Sequence, residues 1–137
     1  MNFGKKLRDL RESKNLTQQE LADQVGVSLK TISRYETNES HPRYREIYDK
    51  LAEVLDTTHD YLVTDEDDFV LNARELYGSK GANDAREMVD GVIGLMAGGE
   101  VPEEDKKTIL DAIQEAYYMA KTENKKYTPK KYRKDDM

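Results

Sequence analysis

Residues 17–36 read TQQELADQVGVSLKTISRYE, and the fold of the chain turns on them. Thr17-Gln18-Gln19-Glu20 is a capping box. The Thr17 hydroxyl can accept from the N–H three residues on, and the Glu20 carboxylate can accept from the Thr17 N–H. Leu21, Ala22 and Val25 follow at helical spacing. Gly26 stands where the chain must leave that helix, in a left-handed backbone that is cheap only for glycine. Val27 packs back under the turn, and Ser28 carries the oxygen to cap a second helix. Ile32 and Tyr35, three apart, point inward. The small Ala22 permits the close contact that two steeply crossing helices need. The stretch predicts a helix, a tight turn and a second helix; the alternative is an ordinary helical hairpin.

If Leu21, Val25, Val27, Ile32 and Tyr35 go inward, then Ser28, Leu29, Lys30, Ser33, Arg34 and Thr37 go outward. This set is short, polar and partly cationic. Arg and Lys can bond guanine O6 and N7, and Ser and Thr can serve either base, which is what reading a major groove requires. Leu29 is the odd member. It can touch a thymine methyl or pack on a second copy of the chain.

These residues extend into a wider resemblance. Residues 1–64 resemble the Cro/repressor-type helix-turn-helix domain, the XRE family: FGKKLRDLRESKNLTQQELA (3–22) is similar to its opening, and ISRYE (32–36) followed by TNESHPR (37–43) to its close. Asn38 stands where the family usually has Gly, a place Asn tolerates because it visits the left-handed region. Glu39 replaces a residue that is often basic. The resemblance implies a five-helix domain. It also implies that Gln18 touches DNA backbone or a base, that Ser28, Lys30, Thr31, Ser33 and Arg34 contact an operator, and that Arg43 and Tyr44 approach phosphate.

The chain has 137 residues, room for one small domain and an accessory segment. Leu7, Leu10, Leu16, Leu21, Val25, Ile32, Ile47, Leu51, Leu55 and Leu62 can supply a core to the first half. There is no cysteine, which excludes disulfides and thiolate metal sites and fits a reducing cytosol. No apolar run approaches the roughly eighteen residues that span a bilayer, and no signal segment is evident. A cytoplasmic, nucleoid-associated protein is expected. The net charge of −6 sits oddly with DNA binding, but its distribution is uneven. Lys5, Lys6, Arg8, Arg11 and Lys14 crowd the first helix, and Lys30, Arg34, Arg43 and Arg45 the expected groove face. Acids collect elsewhere. Local potential at the docking face decides binding, so a steep salt dependence is expected.

After residue 64 the pattern changes. Asp65-Glu66-Asp67-Asp68 reads as an acidic, solvated hinge. Phe69 to Tyr77 reads as a short helix with Gly78 as its stop, and 79–82 as a loop. Ala85, Met88, Val89, Val92, Ile93 and Met96 form one helical stripe. Gly98-Gly99 end that helix, and Pro102 with Glu103, Glu104 and Asp105 opens the next. Ile109, Leu110, Ile113, Ala116, Tyr117 and Ala120 form its stripe. Two such helices can close on each other, on the short helix, or on a second copy. Residues 69–122 are expected to be a dimerisation or oligomerisation module, since paired subunits match paired half-sites. Gly91 and Gly94 each cost about 1 kcal/mol inside a helix, so they mark either a close approach or simple tolerance. Residues 123–137 form a basic tail with Tyr127 and Tyr132 interleaved. It can grip phosphate, meet an acidic segment of a partner copy, or stay solvated.

The pieces LYGSKGANDA (76–85), LMAGGEVPEEDK (95–106) and NKKYTPKKYRK (124–134) are similar to the C-terminal region of repressors of prophages and integrative elements. Some of those repressors are inactivated by a partner metallopeptidase, which the resemblance allows here. An antirepressor protein is another such agent.

Enzyme chemistry finds little support. His41 and His59 lie in different loops without a companion at ligand spacing and read as loop or cap residues. No Gly-rich phosphate loop opens a helix. Self-cleaving repressors carry a β-rich protease domain with a Ser/Lys pair, and this second half is helical and too short. No cofactor and no metal are expected. The sequence therefore predicts an all-α protein: a helix-turn-helix domain and a helical C-terminal module. It would bind double-stranded operator DNA as a homodimer or higher oligomer and repress transcription, with no membrane partner. The competing reading is an antitoxin that regulates its own two-gene module.

Overall fold

The computed structural model describes residues 2–99 and 102–127. Among these every regular element is helical. They are α1 (Phe3–Ser13), α2 (Gln18–Val25), α3 (Leu29–Glu36), α4 (Arg45–Val54), α5 (His59–Leu62), α6 (Asp65–Ala97) and α7 (Lys106–Tyr127), with a 3-10 turn at Glu103–Asp105. Two compact units divide the chain, Met1–Glu75 and Leu76–Met137.

The first unit begins with its caps. Asn2 accepts from the Lys5 N–H, Thr17 from the Glu20 N–H, Ser28 from the Thr31 N–H and Thr58 from the Tyr61 N–H. At Thr17 the reciprocal bond is present too, so the capping box is complete. Gly26 ends α2 at φ 85°, ψ 31°, the left-handed conformation that its place between two helices demands. The inward stripes of α1 to α5 then meet in one cluster: Leu7, Leu21, Ala22, Val25, Ile32, Tyr35, Leu51, Ala52, Leu55 and Leu62. Leu10, Leu16, Val27 and Ile47 pack against it, partly buried. Two fully buried aromatics join it that the leucine pattern did not announce, Phe3 and Tyr48, with ring centroids 5.2 Å apart.

One close approach fixes α1 against the end of α3. A Cβ on Gly4 would lie 2.6 Å from the Glu36 carbonyl oxygen and 2.8 Å from that of Tyr35. The Gly4 N–H donates to Asn38 Oδ1 at 3.0 Å, and Asn38 itself sits at φ 63°. Asn38 thus fills a left-handed position usually given to glycine and uses its side chain to hold α1.

The acidic stretch departs from expectation. Residues 65–68 form no hinge: they are the first turn of α6, capped by Thr64, whose hydroxyl accepts from the Asp67 N–H at 3.1 Å. Asp67 is 2% exposed, and Phe69, Val70, Leu71 and Ala73 behind it are buried. The division between units falls after Glu75, not at 65–68. Four acids in a row look solvated, but helical periodicity turns one of them inward.

In the second unit, Gly78 interrupts α6 at φ 77°, ψ −164°, a backbone region almost reserved for glycine. Helix resumes at Ser79, so the expected loop over 79–82 is helical. It ends at Ala97, with Gly99 at φ 79°. Ala82, Ala85, Val89 and Val92 are buried on this helix, and Leu110 and Tyr117 on α7. The Tyr117 hydroxyl donates to the Gly81 carbonyl at 3.0 Å. Its ring meets those of Tyr77 and Tyr118 with centroids 6.0 and 5.3 Å away. Met88 and Ile93, expected in the buried stripe, face outward. Residues 123–127 of the expected tail belong to α7, and 128–137 lie outside the described residues.

Candidate nucleic-acid interface

α3 buries Ile32 and Tyr35 and presents the opposite side. Ser28, Lys30, Arg34 and Thr37 are exposed, Thr31 and Ser33 half-buried, and Leu29 is 43% exposed. The sequence-predicted set therefore lies together along one helix. Some of its members are already ordered. Ser28 and Thr31 share a hydroxyl–hydroxyl bond of 2.9 Å, and the Thr37 hydroxyl donates to the Arg34 carbonyl at 3.2 Å. The Arg34 guanidinium lies 4.0 Å from the Glu39 carboxylate, both well exposed. An ion pair that open to water is weak and can be exchanged for a base edge or a phosphate.

Gln18 is placed differently from a free contact residue. It is half-buried, and its Nε2 donates to Glu36 Oε1 at 3.1 Å. Glu36 is the last residue of α3, and its side chain is 4% exposed. The same carboxylate accepts from Arg11 Nε at 2.6 Å and Nη2 at 3.1 Å, while Arg11 Nη1 donates to the Leu16 carbonyl at 2.8 Å. The hydrogen bond to Glu36, and the attraction of its charge, hold the Arg11 guanidinium above its ordinary pKa against the opposing effect of burial. This network locks the start of α2 to the end of α3. It leaves the second Gln18 N–H and its carbonyl oxygen as the groups a ligand can meet.

Arg43 and Tyr44 are exposed in the loop before α4. Tyr44 takes the N-cap position without a side-chain cap bond. Arg45, which the charge pattern grouped with the groove face, is instead spent within the domain. It donates to Asp68, Asn72 and Glu75. The cations of α1 are engaged as well. Lys5 pairs with Asp9, Arg8 with Glu12, Arg11 with Glu36 and Lys14 with Asp56, and Lys6 donates to the Tyr61 carbonyl. The expected cationic crowd on the first helix is thus largely compensated, because Lys5, Arg8, Arg11 and Lys14 each found an acid within reach, while Lys6 is held by a neutral carbonyl. Lys30, Arg34 and Arg43 are the exposed cations of the candidate face. Among the described residues no group of three or more His, Asp or Glu is placed to hold a metal ion, and no helix is long and apolar enough to cross a membrane.

A five-helix domain with this capped pair of helices and a polar, cationic second helix is a helix-turn-helix domain, and residues 7–62 match the family model described as Helix-turn-helix. Those residues thus form a DNA-binding domain of the XRE type, the domain of transcription regulators. Relatives that extend beyond this domain narrow the likeness further. The chain is 26% identical over 144 residues to the Immunity repressor protein of Bacillus phage phi105, covering 99% of each. It is 28% identical over 123 residues to the SPbeta prophage-derived uncharacterized HTH-type transcriptional regulator YonR of Bacillus subtilis (strain 168), covering 88% of this chain and 95% of that one. The HTH-type transcriptional activator BcrR of Enterococcus faecalis is 29% identical over 97 residues, which take in 71% of this chain and 46% of that activator. No solved structure gives a significant match.

Proposed function

We propose that this chain is a repressor of a prophage or integrative element that binds operator DNA as a dimer. Its α3 enters the major groove, where Lys30 and Arg34 read bases with Ser28, Thr31, Ser33 and Thr37 beside them. Leu29 meets a thymine methyl. Gln18, Arg43 and Tyr44 meet the backbone. The observation that carries this reading is the face of α3: Lys30 and Arg34 stand in solvent while Ile32 and Tyr35 seal the other side. End-to-end similarity to a phage immunity repressor supports the biological setting. Leu76, Met88, Ile93, Leu95 and Met119 in the second unit are large, apolar and exposed, and large apolar exposure is what a second copy can cover. Two recognition helices of a dimer would then lie about 34 Å apart, one helical turn of duplex. Release would come from outside, by an antirepressor or a metallopeptidase.

The test is a mobility-shift titration with duplexes selected by the chain from a random-sequence pool. Arg34→Ala should lose about 1–3 kcal/mol of discrimination at one base position in each half-site. Lys30→Ala should act at a neighbouring position. Each shifted complex should hold two chains. Variants that bind all duplexes as the wild type does would remove α3 from the groove.

A further inference from the structure

Arg43 and Tyr44 are exposed, and the residues on either side of them are tied down. Pro42 is buried. His41 Nδ1 lies 3.2 Å from Asp67 Oδ2, and its ring packs on Phe3 with centroids 6.1 Å apart. On the other side Arg45 donates from Nη1 to Asp68 Oδ1 at 2.9 Å and from Nη2 to Asn72 Oδ1 at 2.7 Å. Its Nε lies 3.1 and 3.0 Å from the two Glu75 oxygens. The acceptors Asp67, Asp68, Asn72 and Glu75 all lie on the first part of α6, past residue 62, where the family match stops.

Asp67 is the deepest of these acceptors. The Tyr48 hydroxyl, from the core side of α4, also donates to its Oδ2 at 3.2 Å. A carboxylate so buried is costly unless it is hydrogen-bonded, and an apolar side chain often fills such a place at no loss of stability. Its acceptor bonds run to the loop that carries Arg43 and to the helix that follows. Holding a contact loop in its bound form before binding removes an ordering cost from association.

We propose that residues 65–75 brace the DNA-contacting loop. Asp67 acts through His41, and Asp68, Asn72 and Glu75 act through Arg45, to keep Arg43 and Tyr44 where they meet phosphate. These four are positioning residues, three of them acids. They do not touch DNA, and the charge of the acids opposes it. The inference rests on the docking reading above.

The test uses the full chain and its selected duplex, with binding followed by fluorescence anisotropy. D67N and the pair D68N/E75Q are each made in the wild-type background and in R43A/Y44A. Asp68 and Glu75 are half-exposed, so D68N/E75Q keeps the fold, checked by its melting curve, and decides the matter if D67N does not fold. On the wild-type background the pair should weaken binding about five- to tenfold, the low end of usual coupling between sites. On R43A/Y44A it should change little, because the loop no longer has a contact to place. An unchanged affinity overturns the proposal. So does a gain in affinity, the result if these acids merely repel phosphate, and so does an equal loss in both backgrounds, which marks a purely structural role. The docking reading fails separately, when R34A binds the selected duplex as the wild type does.

Discussion

At the scale of single residues, two glycines do different work. Gly26 has nothing within 4 Å of where a Cβ would stand, but its φ is 85°. Gly26→Ala therefore tests backbone alone and should cost about 1 kcal/mol. Gly4 has ordinary backbone and no room, with two carbonyl oxygens under 3 Å from a built Cβ. Gly4→Ala should cost about 1–3 kcal/mol through displacement of α1. Urea unfolding distinguishes them: a Gly4→Ala midpoint equal to the wild type would refute the close approach. Gly26 was legible in the sequence because a turn between two capped helices demands it. Gly4 was not, because the carbonyls that crowd it are more than thirty residues away. Distance along the chain also hides Arg11 from local pattern, since its partner Glu36 lies in another helix and a cation at a helical position looks like a surface charge. Asp67 left a trace that could have been used. Thr64 stands three residues before it and an apolar run follows, the same Thr-x-x-acid pattern that located α2.

At the scale of elements, boundaries set by caps were readable and those set by tertiary pairing were not. Thr17, Gly26, Ser28, Gly78 and Gly98-Gly99 all mark helix limits or breaks in place. The start of α6 was missed because charge density suggested solvent, whereas Arg45 and Tyr48 supply the countercharge and donor that let the acids join a helix. In the second unit, alternating burial assigned Ala85, Val89 and Val92 inward but failed for Met88 and Ile93, since a stripe wider than the partner helix leaves its flanks outside. The α6–α7 pairing makes a pH prediction. Burial, and after it the charge of Asp84, pushes the Tyr117 hydroxyl up to about 12. A raised folded-state value means that the contribution is fully present below the ordinary tyrosine pKa of about 10 and is lost as pH rises through the folded value. Thermal stability of the second unit should therefore fall between pH ~10 and ~12, followed by circular dichroism. Tyr117→Phe should flatten that fall; an unchanged profile would show that the hydroxyl is not buried against Gly81.

At the scale of the whole molecule, net charge proved a poor guide, and so did the count of cations on α1. The sequence correctly indicated the helix-turn-helix domain and an all-helical build among the described residues. It could not tell which cations remain available, because that depends on which acids the fold brings within a few ångströms. Lys5, Lys6, Arg8, Arg11 and Lys14 are held by neighbours, so the domain resembles a set of closed dipoles more than a positive plate. Such a surface casts little field beyond the Debye length of about 8 Å at physiological salt. Encounter with a duplex should then proceed without long-range guidance, at a rate near the unsteered 10⁵–10⁶ M⁻¹s⁻¹, roughly. Stopped-flow mixing at several salt concentrations should find the association rate nearly constant and the dissociation rate carrying the dependence. Charge pairing along most of α1 would make the molecule a slow searcher that commits only on contact.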